Sequence, residues 1–165
     1  MWVDRFTEFV SGSHASGVKN VALDQDVLDE YCPGFPYLPP TLIIEGMAQL
    51  GGILVAEKFD WDKRVVLAKV GKAEFFMPAR PGDQLHFRVD LESAQEDGAV
   101  AVGTSMLDGK LQARIELMFA FLEQGKLFDG PLFRPGELAT MLRLMNMFHV
   151  AVGADGKPIA ISNKL

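Results

Sequence analysis

Cysteine is nearly absent from this chain. Its 165 residues hold one, Cys32, which excludes an intrachain disulfide and fits a reducing, cytoplasmic setting. Histidine is scarce too, and the three present, His14, His86 and His149, form no metal-ligand spacing. There is no glycine-rich phosphate-binding motif, no internal repeat and no low-complexity segment, so neither a metal nor a cofactor is expected. Basic residues are in the minority, and a formal net charge of -6 argues against a general nucleic-acid binder. Long uncharged apolar runs are missing as well. The longest, Thr41 to Ala56, is short for a bilayer span and carries Glu45 at its centre, so it reads as a buried core helix. The first ten residues, MWVDRFTEFV, place charges inside every short apolar run and do not read as a signal peptide.

What is present is enough apolar material for one core. Hydrophobic residues make up 48% and are spread along the whole chain, which at this length predicts a single domain over residues 1–165. Val3 to Val10 and Ala15 to Leu23 read as strands, with turn chemistry at Gly12, Ser13 and His14. Asp24 to Glu30 is a polar connection with room for a short helical turn. A long helix is predicted over residues 41–59, after Pro39 and Pro40, because the first helical residue needs no N–H partner. Gly46, Gly51 and Gly52 inside it each lower helix propensity by about 1 kcal/mol, which points to another backbone packed close against it.

The remainder reads as a meander. Val65 to Val70 and Lys72 to Phe76 are two apolar stretches, and Pro78 to Asp83 is a turn. Leu85, Phe87, Val89 and Leu91 alternate with polar residues, the period of a half-buried strand. Val100 to Leu107 returns the chain, and Asp108-Gly109 is a strong two-residue hairpin signal. Leu111, Ala113, Ile115, Leu117 and Phe119 alternate again. About six strands and one long helix, in this order, predict an α+β fold with an antiparallel sheet wrapped around the helix. Beyond residue 122 a C-terminal extension contains a predicted amphipathic helix over 137–150. Its apolar positions are Leu138, Met141, Leu142, Met145 and Phe148, and Gly153 to Pro158 reads as a turn after it.

The segment Tyr31 to Gln49, YCPGFPYLPPTLIIEGMAQ, carries the most specific pattern. It resembles the active-site segment of the 3-hydroxyacyl-acyl carrier protein dehydratases, a hot-dog-fold family. Their pattern is roughly His-Phe-Pro-Gly-x-Pro-x-Met-Pro-Gly, four more residues, then Glu or Asp, and shortly after it Ala-Gln. Pro33, Gly34, Pro36, Pro39, Glu45, Ala48 and Gln49 fall in register. The family's catalytic histidine falls on Tyr31 and its second glycine on Pro40. Val3-Asp4-Arg5, Val18-Lys19-Asn20-Val21, Lys72-Ala73-x-Phe75 and Pro81-Gly82-Asp83-Gln84-Leu85 look like further family landmarks, so the resemblance runs from about residue 2 to residue 121.

Dehydration of a 3-hydroxyacyl thioester needs a base for the proton beside the thioester carbonyl. It also needs an acid for the leaving hydroxyl and donors for the carbonyl oxygen as it becomes enolate-like. The resemblance implies Glu45, from a partner subunit, as the group that works on the hydroxyl, and Tyr31 where the base stands. It places Gly34, Pro40, Thr41 and Gln49 around the substrate. Glu45 has no other charge on its helix before Glu57, and a carboxyl among apolar neighbours is expected to be desolvated toward its neutral, proton-donating form; the alternative is an acid on a solvated helix stripe or a structural hydrogen bond to Gln49. A phenol titrates near 10 and is a poor proton acceptor at neutral pH, so Tyr31 either donates a hydrogen bond to a carbonyl or only fills the space of an imidazole. Pro40 has no N–H, which removes one donor and leaves that of Thr41. Ordinary dehydration is therefore expected to be weak.

The histidines read as surface or structural residues, His149 being the one with a route to the pocket if the tail folds over it. Cys32 stands where the family has phenylalanine and reads as packing. Between Lys63 and Arg80 five basic residues (Lys63, Arg64, Lys69, Lys72, Arg80) face one acid, Glu74, a patch suited either to an anionic carrier or to a solvated sheet edge. The resemblance implies a homodimer or higher homo-oligomer that acts on or binds thioesters of acyl carrier protein or CoA. That places it in fatty-acid or polyketide-type metabolism, with no nucleic acid and no membrane span. An acyl thioesterase on the same fold, or a non-catalytic acyl-carrier or acyl-chain binding module, stands beside that expectation, because a fold alone does not choose among them.

Overall fold

The computed structural model describes residues 1–122 and 136–160, together with Ser162 and Lys164. β1 (Arg5–Val10) and β2 (His14–Asn20) form an antiparallel hairpin turned at Gly12. His14, expected in that turn, instead opens β2, where its ring lies 3.2 Å from the Glu8 carboxylate and 3.0 Å from the Ser13 hydroxyl. The polar connection condenses into α1 (Asp26–Tyr31), and the long helix is α2 (Pro40–Lys58). β3 (Arg64–Phe75) is a single strand where the apolar pattern suggested two stretches. Register shifts between Leu67 and Lys69 and between Val70 and Ala73 bend it, so the apparent break near Gly71 is a bulge rather than a turn.

β4 (Gln84–Ala94), β5 (Gly98–Leu107) and β6 (Lys110–Leu122) complete the meander. Asp108 and Gly109 both take positive φ, 49° and 73°, as a two-residue hairpin requires. The last strand, β7 (Ala151–Val152), runs parallel to β1. The described residues thus form a seven-stranded sheet in the order β3-β6-β5-β4-β2-β1-β7.

The sheet wraps α2. Ile43, Met47, Leu50 and Leu54 of the helix are fully buried, as are Phe87, Ile115 and Leu117 on the strands. The helix glycines are explained by close approach. A Cβ on Gly46 would lie 2.9 Å from the Trp2 carbonyl oxygen and 2.7 Å from the Phe87 ring, and one on Gly51 would lie 2.8 Å from Phe119. Gly52 meets nothing so close.

The tail packs on the same core, but not as one helix. α3 (Glu137–Leu144) and α4 (Met147–Val150) are separated at Asn146, which takes φ 65°. The break lets the Met145 carbonyl accept the Phe6 N–H at 2.8 Å, which ties the tail to β1. The expected face still turns inward: Leu142 and Met145 are buried, and Leu138, Met141 and Phe148 pack partly buried against the core. Gly153 to Pro158 turns the chain, with the Gly153 N–H on the Lys157 carbonyl at 2.8 Å. Residues 123–135 of the expected extension lie outside the described residues.

Candidate functional site

The loop before α2 is built by local rules. Cys32 to Phe35 form a turn closed by the Phe35 N–H on the Cys32 carbonyl at 3.1 Å. Its third residue is Gly34 at φ 82°, a conformation that glycine adopts at little cost. Tyr31 packs edge-on against Tyr37 at 5.3 Å, and Phe35 against Tyr37 at 6.3 Å. The Arg80 guanidinium lies 4.7 Å over the Phe35 ring. A hydrogen bond with Tyr31 holds the Tyr37 hydroxyl above its ordinary titration range, and partial burial adds to it. The Leu38 N–H on the Ala79 carbonyl, at 2.7 Å, ties the loop to the turn before β4.

Pro39 caps α2 and Pro40 is its first residue. The N–H groups of Leu42 and Ile43 return to the Pro39 carbonyl. Thr41 stands exposed in the first turn, where helix geometry gives its N–H no acceptor within the helix. One turn on, Glu45 accepts a hydrogen bond from the Gln49 amide nitrogen at 2.9 Å, and the Gln49 amide oxygen accepts the Trp2 N–H at 2.7 Å. The segment before β1 thereby fixes the orientation of Gln49, and Gln49 fixes Glu45. Nothing in the sequence marked Trp2 for this role.

The expected desolvation of Glu45 is not met within one chain, where the residue is exposed. Thr41, Glu45, Gln49 and Gly52 lie along a stripe of α2 that the chain's own sheet does not close over, and none of the four is fully buried. Cys32 is partly buried in the loop. His86 and His149 are exposed, and neither lines the cleft described next.

That cleft, about 430 Å³, opens between the loop and the end of β3. Its walls include Phe35, Tyr37, Pro40, Phe75, Phe76 and Met77, and the one amide-bearing residue among the described lining is Gln112. Of the predicted site residues only Pro40 lines it. Tyr31 and Gly34 sit in the loop beside it, while Thr41, Glu45 and Gln49 belong to the outward stripe of α2. Gln112 was missed because the alternation of β6 placed it on the polar face. A bulge opposite Ser105 and Met106 reverses the strand there, so that Gln112 is buried and Leu111 is exposed.

Comparison with known proteins decides the family. The profile of the FabA-like domain matches residues 1–116. The chain belongs to the FabA-like domain family. Among curated relatives, the FabZ 3-hydroxyacyl-[acyl-carrier-protein] dehydratase of Thermomicrobium roseum is 34% identical over 122 residues, which span 73% of this chain and 82% of that protein. The FabZ of Syntrophotalea carbinolica is 37% identical over 121 residues, 72% of this chain and 82% of the relative. Among solved structures, the dehydratase heterocomplex ApeI:P from Xenorhabdus doucetiae matches with a TM-score of 0.64 at 19% identity, covering 77% of this chain and 86% of that one. A hypothetical thioesterase with coenzyme A from Streptococcus pneumoniae matches with a TM-score of 0.58 at 11% identity, covering 73% and 86%. The fold is the hot-dog fold.

In this FabA-like chain the basic stretch is only partly free. Lys72 pairs with Glu74 at 2.8 Å, Lys63 lies over the Phe121 ring at 5.6 Å, and Arg80 is on Phe35. Lys69 is exposed on β3. Among the described residues no cluster of three or more His, Cys, Asp or Glu side chains is arranged to hold a metal, and no helix is long and apolar enough to cross a membrane.

Proposed function

We propose that this protein binds 3-hydroxyacyl thioesters of an acyl carrier protein or of CoA, and dehydrates them slowly, as one hot-dog domain working in a cytoplasmic homodimer. The observation that carries this is the Trp2–Gln49–Glu45 chain of hydrogen bonds, which orients the one acid of the apolar part of α2 one turn behind the first-turn N–H groups. In this scheme Glu45 delivers a proton to the leaving hydroxyl, the proton beside the carbonyl passes to solvent water, and the Thr41 N–H steadies the thioester oxygen. Gly34 gives the loop its turn, and Pro40 forms part of the cleft wall beside the acyl chain.

The slow rate follows from the base. By the resemblance read from the sequence, Tyr31 takes the position of the dehydratases' histidine. Its neighbour Tyr37 is pushed further from ionising at neutral pH by their mutual hydrogen bond, so neither phenol replaces an imidazole. Dimerisation is supported by the open stripe of α2 and by β3, which forms one edge of the sheet and leaves Leu67, Ala68 and Lys69 exposed. A second copy laid there would cover Glu45 and supply the desolvation that one chain lacks. Opposite it, Tyr31 of that copy would complete the site.

The test is turnover and binding of matched 3-hydroxyacyl and saturated acyl thioesters on pantetheine, CoA and an acyl carrier protein. Binding of the hydroxyacyl series with slow water loss is the expected result. Fast hydrolysis of saturated thioesters would replace this function with a thioesterase. Binding without any turnover would leave a carrier module.

A further inference from the structure

Gln112 is buried to 1% exposure, yet only half of its amide is satisfied. Its nitrogen donates to the Met77 carbonyl at 2.8 Å, and its backbone carbonyl accepts the Phe76 N–H at 2.9 Å. The side-chain oxygen meets no donor among the described residues. Exchanging oxygen and nitrogen would set oxygen against the Met77 carbonyl oxygen, so the orientation is fixed and the unpaired atom is an acceptor. Ser105, on the neighbouring strand opposite Ala113, is also fully buried with its hydroxyl unpaired. Gln112 is one of the residues that line the 430 Å³ cleft, and the other described lining residues are aromatic and aliphatic apart from the Tyr37 hydroxyl. A buried acceptor left without a donor is costly, and an apolar ligand laid over it keeps that cost.

We propose that Gln112 is a specificity residue which selects ligands carrying a hydroxyl on the acyl chain beyond the reacting carbons. The hydroxyl donates to the Gln112 side-chain oxygen, which leaves that buried acceptor paired. The oxygen itself is shielded from the cleft, so a ligand reaches it by a rotamer change of a lining side chain. Met77 is the most adaptable of these, being unbranched and only partly buried. The assignment rests on the acyl-thioester function proposed above. A plain alkyl chain of equal length fills the same volume but leaves the acceptor unpaired.

The test uses S-octyl pantetheine and a matched series in which one hydroxyl is moved along the octyl chain. Affinities are measured by calorimetry on the intact protein and on Gln112→Met. One member of the hydroxyl series is expected to bind the unmodified protein about tenfold tighter than the alkyl compound. Gln112→Met is expected to remove that preference by weakening the hydroxylated ligand relative to the alkyl one. A purely structural role, holding Phe76 and Met77, would weaken both ligands equally and overturn the assignment. So would equal binding of every compound by the unmodified protein, a result that needs no variant. Failure of all of them to bind would overturn the acyl-thioester function together with this inference.

Discussion

Gln49 commits both ends of its amide, the oxygen to the Trp2 N–H and the nitrogen to the Glu45 carboxylate. Gln49→Ala is therefore expected to loosen Glu45 and lower thioester turnover by about tenfold, with about 1 kcal/mol lost from stability through the orphaned Trp2 N–H. Steady-state kinetics beside a urea melt separates the two effects. Tyr31→His combined with Pro40→Gly is expected to raise dehydration by about 10²- to 10⁴-fold, the range of a positioned acid-base group. An unchanged rate would show that position 31 does not face the substrate. Glu57 tests burial at the far end of α2. Desolvation raises its pKa above the ordinary 4.5, against the pull of a Ser11 hydrogen bond and Lys58. The folded state thus holds this proton more tightly than the unfolded one. Stability from this group is fully present below the ordinary value and is lost as pH rises through the raised one. Glu57→Gln is expected to flatten that decline in a series of thermal melts from acid to neutral pH. The change should be small, since the side chain is only partly buried and solvent screens it.

At the scale of elements, the break between α3 and α4 is the feature that periodicity concealed. Asn146 sits there at φ 65°, in the left-handed region that costs most side chains roughly 1–2 kcal/mol. Asn146→Ala is expected to destabilise by about 1 kcal/mol, and Asn146→Gly to be neutral or better, read from denaturant midpoints. A continuous helix would reverse that order. The β6 bulge is the same kind of event on a strand. One extra residue opposite Met106 changes which face looks inward, and it gives the cleft its amide.

For the whole molecule, the tail and the open edge make opposite demands. β7 covers the outer side of β1, while Leu142, Met145 and Met147 are buried against the core. Ser162 and Lys164 reach back to Asp60 and Asp62, with the Lys164 ammonium 2.6 Å and 2.7 Å from the two carboxylates. Among the described residues, none that lines the cleft comes from the tail. Removing the chain after Leu122 should therefore cost stability and solubility before it changes ligand range, since each large apolar side chain lost from burial is worth roughly 1.5 to 3 kcal/mol. A truncated protein with an unchanged melting temperature and an altered ligand range would contradict this. At the other edge, Leu67→Glu on β3 is expected to turn a particle of about twice the 18.1 kDa chain mass into monomer, measured by sedimentation.

What the amino-acid order determined by itself was the local grammar. Alternation in β4, the positive-φ pair Asp108-Gly109, the proline entry to α2 and the isolation of Glu45 are all short-range properties, and each is legible without a partner element. The close approach at Gly46 and the inward face of the tail were legible for the same reason: packing must answer a missing Cβ or an apolar stripe. Tertiary structure decided the rest. Periodicity assumes an unbroken strand or helix, so it could place neither the bulge that buries Gln112 nor the Asn146 break that lets Met145 meet Phe6. The orientation of Glu45 depends on Trp2, 43 positions earlier in the chain. No local pattern records a hydrogen bond that exists only after the first residues have folded back across the helix.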